Sequence, residues 1–367
     1  MKGGRVQVIT KNNSIAKHQL GEYAVHIYVL LYYLSMREIL REFEEACLLQ
    51  GLVSPSTRLL ISCSGGQDSV TLLFLLCQLQ TNWTWRLGVV YCNHMWRYGS
   101  IETPAKLARI CLLFGVSCSF SVSGSRLQKE EEGRSWRLRV LCRMSSIHSW
   151  FYISTGHTAS DRIETLLSNV LRGSSSSGMR SINWYTSLDT QVGHRRISIP
   201  IIRPLLGISR LELRNYANRW KLPLCYDPSN QDQRIRRNRI RHELLPYLRH
   251  WWNPQIDRLL AQTAEVTSWE SSYYDLICTQ ICQQYEWIGD GGVRFPWRIF
   301  HSIPTSLHSR ILWIFLNRAL VFLNPAHGFQ GNFDILQFLL ETKTCHCRHG
   351  SIYISKDVDW LRMTLVK

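Results

Sequence analysis

Nowhere in this 367-residue chain do 18 apolar residues run together, so no membrane-spanning helix is expected. An apolar run of 12 residues, Tyr23 to Leu34, follows the basic residues Lys2, Arg5, Lys11 and Lys17. No small-residue cleavage site comes after it, which argues against a signal peptide. There is no G-x-x-x-x-G-K-[ST], and that excludes a Walker-type phosphate loop; Gly173 to Gly178 comes near it, but Met179 and Arg180 stand where Lys and Ser/Thr belong. There is no C-x-x-C, and the twelve cysteines have no framework spacing, so they read as small buried hydrophobes of a reducing compartment. Cys345-His346-Cys347-Arg348-His349 packs all its candidate ligands into five residues, with no separated second pair; it reads as a polar turn rather than a zinc site. Cys278 and Cys282, one helical turn apart, are expected to face a core. Acidic residues are scarce. The 27 Asp and Glu face 43 Lys and Arg, a net charge of +16 that favours a polyanionic partner, nucleic acid first.

What is present is a strand–loop–helix signature. LLISCSGGQDSVTLLFLL, residues 59 to 76, is an apolar run, a tight glycine loop and a second apolar run at helical spacing. Such a loop offers backbone N–H groups and serine hydroxyls to phosphate at a helix N-terminus, and Asp68 suggests a metal beside it. β-rich runs recur at 59–63, 87–92, 116–122 and 151–155, alternating with helical segments near 69–79, 103–114, 134–147 and 160–171. That alternation implies an α/β fold, a parallel sheet covered on both faces with the glycine loop at its carboxyl edge. A further strand is expected at 197–202 and a helix at 209–220, with Ser209 as cap and Glu212 at N3. From about 254 helical patterns dominate (255–285, 306–323, 333–341), and a hairpin (351–355, 360–366) closes the chain. The expected organisation is 1–50 as extension and leading helix, 51–248 as the catalytic domain, and 249–367 as a mainly helical region.

Three more segments carry chemistry. Gly156-His157-Thr158-Ala159-Ser160-Asp161-Arg162-Ile163-Glu164-Thr165 follows a strand, so it belongs at the same sheet edge. Asp161 and Glu164 share a helix face and suit Mg²⁺ or an ammonium group; equally, Thr158 and Asp161 suit a capping box. Asp227-Pro228-Ser229-Asn230 precedes Arg234, Arg236, Arg237, Arg239 and Arg241, a density that suits phosphate contact. Cys92-Asn93-His94-Met95-Trp96-Arg97 ends the second strand.

Taken in order, these segments resemble the tRNA(Ile)-lysidine synthetase family of PP-loop ATP-pyrophosphatases, over roughly residues 57–250. SGGQDS is similar to the PP-loop signature, NHMWR to the family's His-x-x-x-Arg type segment and GHTASDRIET to its GH-x-x-x-D-x-x-ET helix. IRPLLGISRLELRNYA with DPSNQDQRIRRNRIRHELLPYL is the family-diagnostic part. RGSSSSGMRSI departs from the tighter RGSG-type loop of the family, and residues 1–35 lie outside its pattern.

The resemblance implies a Rossmann-like fold and a two-step reaction. ATP adenylates the wobble cytidine of a CAU anticodon in tRNA(Ile), and free L-lysine then displaces AMP. It implies ATP cradled by Ser64, Gly65, Gly66, Gln67, Asp68 and Ser69, with Mg²⁺ on Asp68. Lysine or metal would lie on Asp161 and Glu164, cytidine beside His94 and Arg97, and phosphates on Arg203. Arg234, Arg236, Arg237 and Arg241 would meet RNA. It further implies a plastid stroma or a bacterial cytoplasm, no membrane partner, and an assembly compatible with a homodimer. Two rivals are another PP-loop enzyme, such as a tRNA thiolase, which generally needs paired cysteines, and a non-catalytic RNA-binding relative.

Overall fold

The computed structural model describes residues 38–94, 102–124, 130–174, 179–192, 195–225, 233, 235–289, 292–323, 339–342, 344–349 and 352–365. Met95 to Arg97, Ser175 to Gly178, Asp227 to Asn230, Arg234 and residues 1–35 lie outside them. The chain forms two compact units, 1–168 with 182–261 and 169–181 with 262–367.

The first unit holds a six-stranded sheet of order β3-β2-β1-β4-β6-β5. Its strands are β1 (Arg58–Ser62), β2 (Arg86–Asn93), β3 (Ser117–Val122), β4 (Tyr152–Thr155), β5 (Tyr185–Val192) and β6 (Arg195–Ile202). β1 pairs in parallel with β2 on one side and β4 on the other, and β6 continues the parallel set beside β4. Helix α1 (38–49) precedes the sheet. α2 (Gln67–Trp83), α3 (Glu102–Leu113), α4 (Glu130–His148) and α5 (Ala159–Val170) follow β1 to β4 in turn, and α6 (Arg210–Arg219) follows β6.

The period-2 alternation of a strand explains the two-sided burial. In β1, Leu59 and Ile61 enter a core with Val70, Leu73 and Leu76 of α2, whereas Leu60 enters the opposite core with Leu141 and Cys142 of α4 and Ile153 of β4. Truncating such a fully buried leucine to alanine costs about 2–5 kcal/mol. The chain runs β1 to β3 outward in one direction, then returns to lay β4 on the other side of β1. The β1/β4 boundary is therefore the switch point, where α/β sheets open a crevice at their carboxyl ends.

β5 was not expected. It pairs antiparallel with β6 along eight residues, from Tyr185↔Ile202 to Val192↔Arg195. Its sequence, YTSLDTQV, is polar at five of its eight positions, as befits an edge strand, and carries no apolar run to announce it.

After α6 comes a continuous helical rod: α7 (Arg236–Arg239), a π turn (Ile240–Leu244) and α8 (Leu245–Trp251). The π turn falls just before Pro246, which supplies no N–H and would crowd the carbonyl four residues back in a regular helix. Widening one turn, with Leu245 N–H on Ile240 O, absorbs that conflict. Ile240 and Leu245 pack on Ile163 and fix the rod to α5.

The second unit contains most of α9 (Ile256–Tyr285), α10 (Thr305–Leu323) and a five-stranded antiparallel sheet of order β7-β8-β11-β10-β9. The strands are β7 (Trp287–Gly289), β8 (Gly292–Pro296), β9 (Cys345–His349), β10 (Ile352–Lys356) and β11 (Trp360–Leu365). The expected closing hairpin is thus β10–β11 within a larger sheet. Cys345–His349, expected as a polar turn, is instead a strand paired residue for residue with β10. Its polar residues are tolerated because β9 is an edge, where His346 Nδ1 meets Tyr353 Oη at 2.7 Å. Cys278 and Cys282 are fully buried, as expected.

Candidate active site

The glycine loop leaves β1 at Cys63 and enters α2 at Gln67. Gly65 takes φ +82°, a left-handed value that suits glycine, and a Cβ there would lie 3.1 Å from Cys225 Sγ. Cys225 N–H donates to Gly65 O at 2.9 Å, so the chain after α6 clamps the loop from above. Ser69 Oγ ties the loop from below. It accepts from Ser64 N–H at 3.2 Å, donates to Gly66 O at 3.0 Å and meets Ser64 Oγ at 3.2 Å. Gly66 caps α2 with no side-chain hydrogen bond, which leaves the first N–H groups of the helix for an anion.

Gly156, just past β4, lies against the backbone that opens α2. A Cβ on it would stand 3.1 Å from Asp68 C and Ser69 N and 3.2 Å from Asp68 O. Only a residue without a Cβ lets β4 and the start of α2 meet so closely. This contact brings Asp68 against the Asp161/Glu164 segment.

Three carboxylates and three guanidinium groups converge there. Arg210, the first residue of α6, sends Nε to Asp68 Oδ2 (2.9 Å), Nη2 to Asp161 Oδ1 (2.8 Å) and Nη1 to Glu164 Oε1 (3.2 Å). Arg237 donates from Nε to Glu164 Oε2 (2.6 Å) and from Nη2 to Asp161 Oδ1 (2.5 Å). Arg241 donates from Nε to Glu164 Oε1 (2.7 Å) and from Nη2 to Oε2 (2.9 Å). Gln67 Nε2 completes the frame, donating to Asp68 Oδ1 and to Arg210 O, each at 3.0 Å. Formal charge within the six residues cancels. Both readings of Asp161 hold at once: Oδ1 serves the arginines, while Oδ2 accepts from Thr158 N–H (2.8 Å) and Asp161 N–H donates back to Thr158 Oγ1 (3.4 Å), the reciprocal pair of a capping box, to which Thr158 Oγ1 adds a bond to Oδ2 at 2.9 Å.

The environment sets the protonation states apart. Burial would raise the Asp161 carboxyl, but Arg210 and Arg237 outweigh it and hold its pKa at about 2. For Asp68 burial wins over the attraction of Arg210, and its pKa lies above the ordinary value. Burial also opposes the charge of Arg210, yet Asp161, Asp68 and Glu164 together push its pKa up. His157, whose Nδ1 meets Thr155 Oγ1 at 2.9 Å, is pushed down to about 3 by burial, with Arg203, Arg237 and Arg134 adding to the effect. It is neutral at physiological pH.

Among the residues singled out in the sequence, Asp68, Asp161, Glu164, Arg237 and Arg241 are thus brought together, beside Ser64, Gly65, Gly66, Gln67 and Ser69. Arg237 and Arg241, expected to meet RNA, are engaged by the carboxylates, because the π turn and the packing of Ile240 aim them inward. Arg203 stands apart from the cluster at the end of β6. It is buried, donates from Nη1 to Asn183 O (2.7 Å) and from Nη2 to Thr186 Oγ1 (2.9 Å), and meets no carboxylate among the described residues. Its Nε is buried without a hydrogen-bond partner, the condition expected of a cation awaiting an anion. His94, the residue after β2, makes an edge-on contact with the Trp136 ring (centroids 5.2 Å apart), and burial with Arg137 lowers its pKa to about 4. Arg236 is exposed. Arg97 and Arg234 lie outside the described residues.

Arg210 is the residue that sequence reasoning missed. Its signal was present, since an arginine directly after the Ser209 cap puts a cation at the helix end that repels it, an arrangement that calls for nearby carboxylates.

The family model for the PP-loop domain matches residues 35–248. A chloroplastic tRNA(Ile)-lysidine synthase of Zygnema circumcarinatum is 32% identical, over 76% of this chain and 75% of the relative. The tRNA(Ile)-lysidine synthase of Nostoc sp. is 36% identical, over 75% and 76% respectively. That of Synechocystis sp. is 36% identical, over 79% and 84%. Among solved structures, a U34-tRNA thiolase of Methanococcus maripaludis matches with a TM-score of 0.51 at 16% identity, over 63% of this chain and 78% of that one, a likeness of fold. The chain belongs to the PP-loop family of tRNA(Ile)-lysidine synthases.

Proposed function

We infer that this chain ligates free lysine to C2 of the wobble cytidine in the CAU anticodon of tRNA(Ile), using ATP. The observation that carries this reading is the meeting of an uncapped glycine loop with the Asp68/Asp161/Glu164 cluster at one sheet edge, in a member of this family. In the first step the cytidine O2 attacks the α-phosphorus of ATP, an O–P bond forms, and pyrophosphate leaves. In the second the ε-ammonium of lysine first gives a proton to solvent, the neutral amine attacks C2 and forms a C–N bond, the C2–O bond to AMP breaks with its electron pair going to AMP, and the nitrogen gives a second proton to solvent. The residues supply position and charge rather than covalent chemistry.

The loop N–H groups from Gly65 to Asp68, with Ser64, suit the ATP phosphates, and the orphan Nε of Arg203 suits a phosphate as well. Asp68 would hold Mg²⁺, whose charge would offset that of the leaving pyrophosphate. Asp161 and Glu164 already accept guanidinium N–H groups, and a lysine ammonium presents the same kind of donor. Because the cluster is neutral as it stands, a further cation is favoured only once ATP and tRNA bring negative charge. Arg237 is the most exposed of the three arginines, at 38%. That exposure suits a turn towards a tRNA phosphate, which would release oxygens of Asp161 and Glu164 to lysine. This keeps an RNA role for Arg237 together with its contact to the carboxylates. Relatives from chloroplasts support a plastid stroma, with a bacterial cytoplasm as the alternative.

Radiolabelled lysine and a CAU-anticodon tRNA(Ile) transcript test the reading. ATP-dependent incorporation, lost when the wobble cytidine is replaced, is expected. Intact tRNA binding without incorporation would overturn it in favour of a non-catalytic RNA-binding relative.

A further inference from the structure

The rod that carries Arg237 and Arg241 does not end at the cluster. It continues through α8 to Trp252 and exposes three large aromatic rings within six residues, Tyr247 (55%), Trp251 (69%) and Trp252 (74%). Tyr247 and Trp251 are four apart and share a helix face. The rings are not loosely tethered. His250 meets Trp251 edge-on, with centroids 4.8 Å apart and an interplanar angle of 87°. Arg249 is forked onto Asp257 at 2.6 and 3.0 Å, which pins the end of the helix.

Single apolar residues on a surface are ordinary, but three large exposed rings within six residues mark a contact. The surrounding charge says with what. Arg236, Arg239, His242 and His250 are exposed on the same rod, and Glu243 is the one acidic residue between positions 233 and 256. Protein interface cores are depleted in charge, whereas rings interleaved with cations fit unstacked bases on a phosphate chain. Ten residues of helix separate Arg241 from Trp251, roughly 15 Å at 1.5 Å per residue, a distance that a few nucleotides of single strand cover.

We propose that Tyr247, Trp251 and Trp252 form a stacking platform for single-stranded tRNA bases that flank the nucleotide entering the active site. The proposal rests on the tRNA-modifying function inferred above and names where that RNA lies. The rings hold loop bases by their faces, which is indifferent to base identity, and leave identity to the pocket at the sheet edge.

The test is fluorescence anisotropy of the full chain with a labelled CAU stem-loop RNA, and with a blunt duplex of the same stem, across a salt series. Tyr247→Ala, Trp251→Ala and Trp252→Ala should each weaken stem-loop binding about 5- to 150-fold, the range for losing one base–aromatic stack. The slope of log affinity against log salt should stay unchanged, because no phosphate contact is lost, whereas Arg236→Ala should flatten it. Trp251→Phe should retain most of the affinity, and ATP binding without RNA should match wild type, which reports an intact fold. Unchanged stem-loop affinity in all three variants, or equal loss on the duplex, overturns the proposal. So does a shift in sedimentation of Trp251→Ala, which would mark the patch as a contact with a second copy. If lysine is not incorporated but the alanine variants show this signature, the function falls and the platform stands; incorporation with unaffected binding means the reverse.

Discussion

Arg210→Ala is the perturbation that asks most of the site. Arg210 is the only cation bonded to Asp68 among the described residues, and it also holds Asp161 and Glu164, whose side chains are only 7% and 1% exposed. Arg237 and Arg241 continue to serve the latter two, so the loss falls on Asp68 and on the geometry of the whole. Removing one partner of a buried ion pair costs about 3–5 kcal/mol. At about 2–4 °C per kcal/mol for a domain of this size, Tm should fall by about 6–20 °C. Because that is a large share of a typical stability of about 5–15 kcal/mol, Arg210→Lys provides the folded counterpart. Lysine keeps the charge but loses the planar fork, so it cannot bridge three carboxylates at once. It should fold, bind tRNA normally and lose about 10²-fold in kcat/KM, the scale of a 1 Å misplacement. A double-mutant cycle with Asp68→Asn, followed by thermal unfolding, should show coupling of about 0.5–3 kcal/mol. The reasoning is refuted if Arg210→Ala shifts Tm by less than about 3 °C with wild-type ligation, or if the cycle shows no coupling.

Two further predictions follow from the loop. Gly156→Ala drives a methyl group into the backbone of Asp68 and Ser69, which cannot yield as a side chain would; it should cost about 1–3 kcal/mol and raise KM for ATP more than for lysine. ATP binding at wild-type strength in that variant would show that the close approach is not what positions the loop. The second concerns pH. With its pKa raised by burial, Asp68 loses its charge on acidification above the ordinary carboxylate value of about 3.9, so Mg²⁺–ATP binding should weaken there, and Asp68→Asn should abolish ATP–pyrophosphate exchange at every pH. Asp161 has the opposite sign. Its stabilising contribution is complete above about 3.9 and is lost as pH falls towards about 2, so urea unfolding from pH 7 to 2 should show its loss only at that acidic end.

β1 and β2 were legible because each is a dense apolar run, as burial on both faces of the sheet demands, whereas β3, SCSFSV at the other edge, showed itself by alternation of small polar with larger apolar residues. β5 was not legible, since an edge strand needs apolar residues on one face at most, and YTSLDTQV satisfies that with little hydrophobic signal. β9 was misread for a related reason: an edge strand of Cys, His and Arg has turn-like polarity. The glycine loop and both carboxylates of α5 were legible because their chemistry is local, a few residues in a row at one strand end. What joins them was not. Arg210 lies 142 positions from Asp68 and Arg237 lies 73 from Glu164. In the sequence Arg237 looks the same whether it faces RNA or a carboxylate. Only the packing of Ile240 on Ile163, together with the widened turn before Pro246, decides which way it points.

Asp161 shows why a structural and a functional reading need not compete. A carboxylate has two oxygens, and here one closes the capping box while the other receives two guanidinium groups. The two roles separate by substitution. If the cap were all that mattered, Thr158→Ala and Asp161→Asn would be equivalent, each costing about 1 kcal/mol and leaving turnover alone. Asparagine keeps one carbonyl oxygen for Thr158 N–H but turns an NH₂ group towards Arg210 and Arg237, where donors would face donors. Asp161→Asn should therefore keep α5 and lose lysine ligation by at least about 10²-fold, while Thr158→Ala gives up the cap hydroxyl and retains ligation. Circular dichroism and the lysine-incorporation assay on the two variants decide it, and equal activity in both would return Asp161 to a capping role alone.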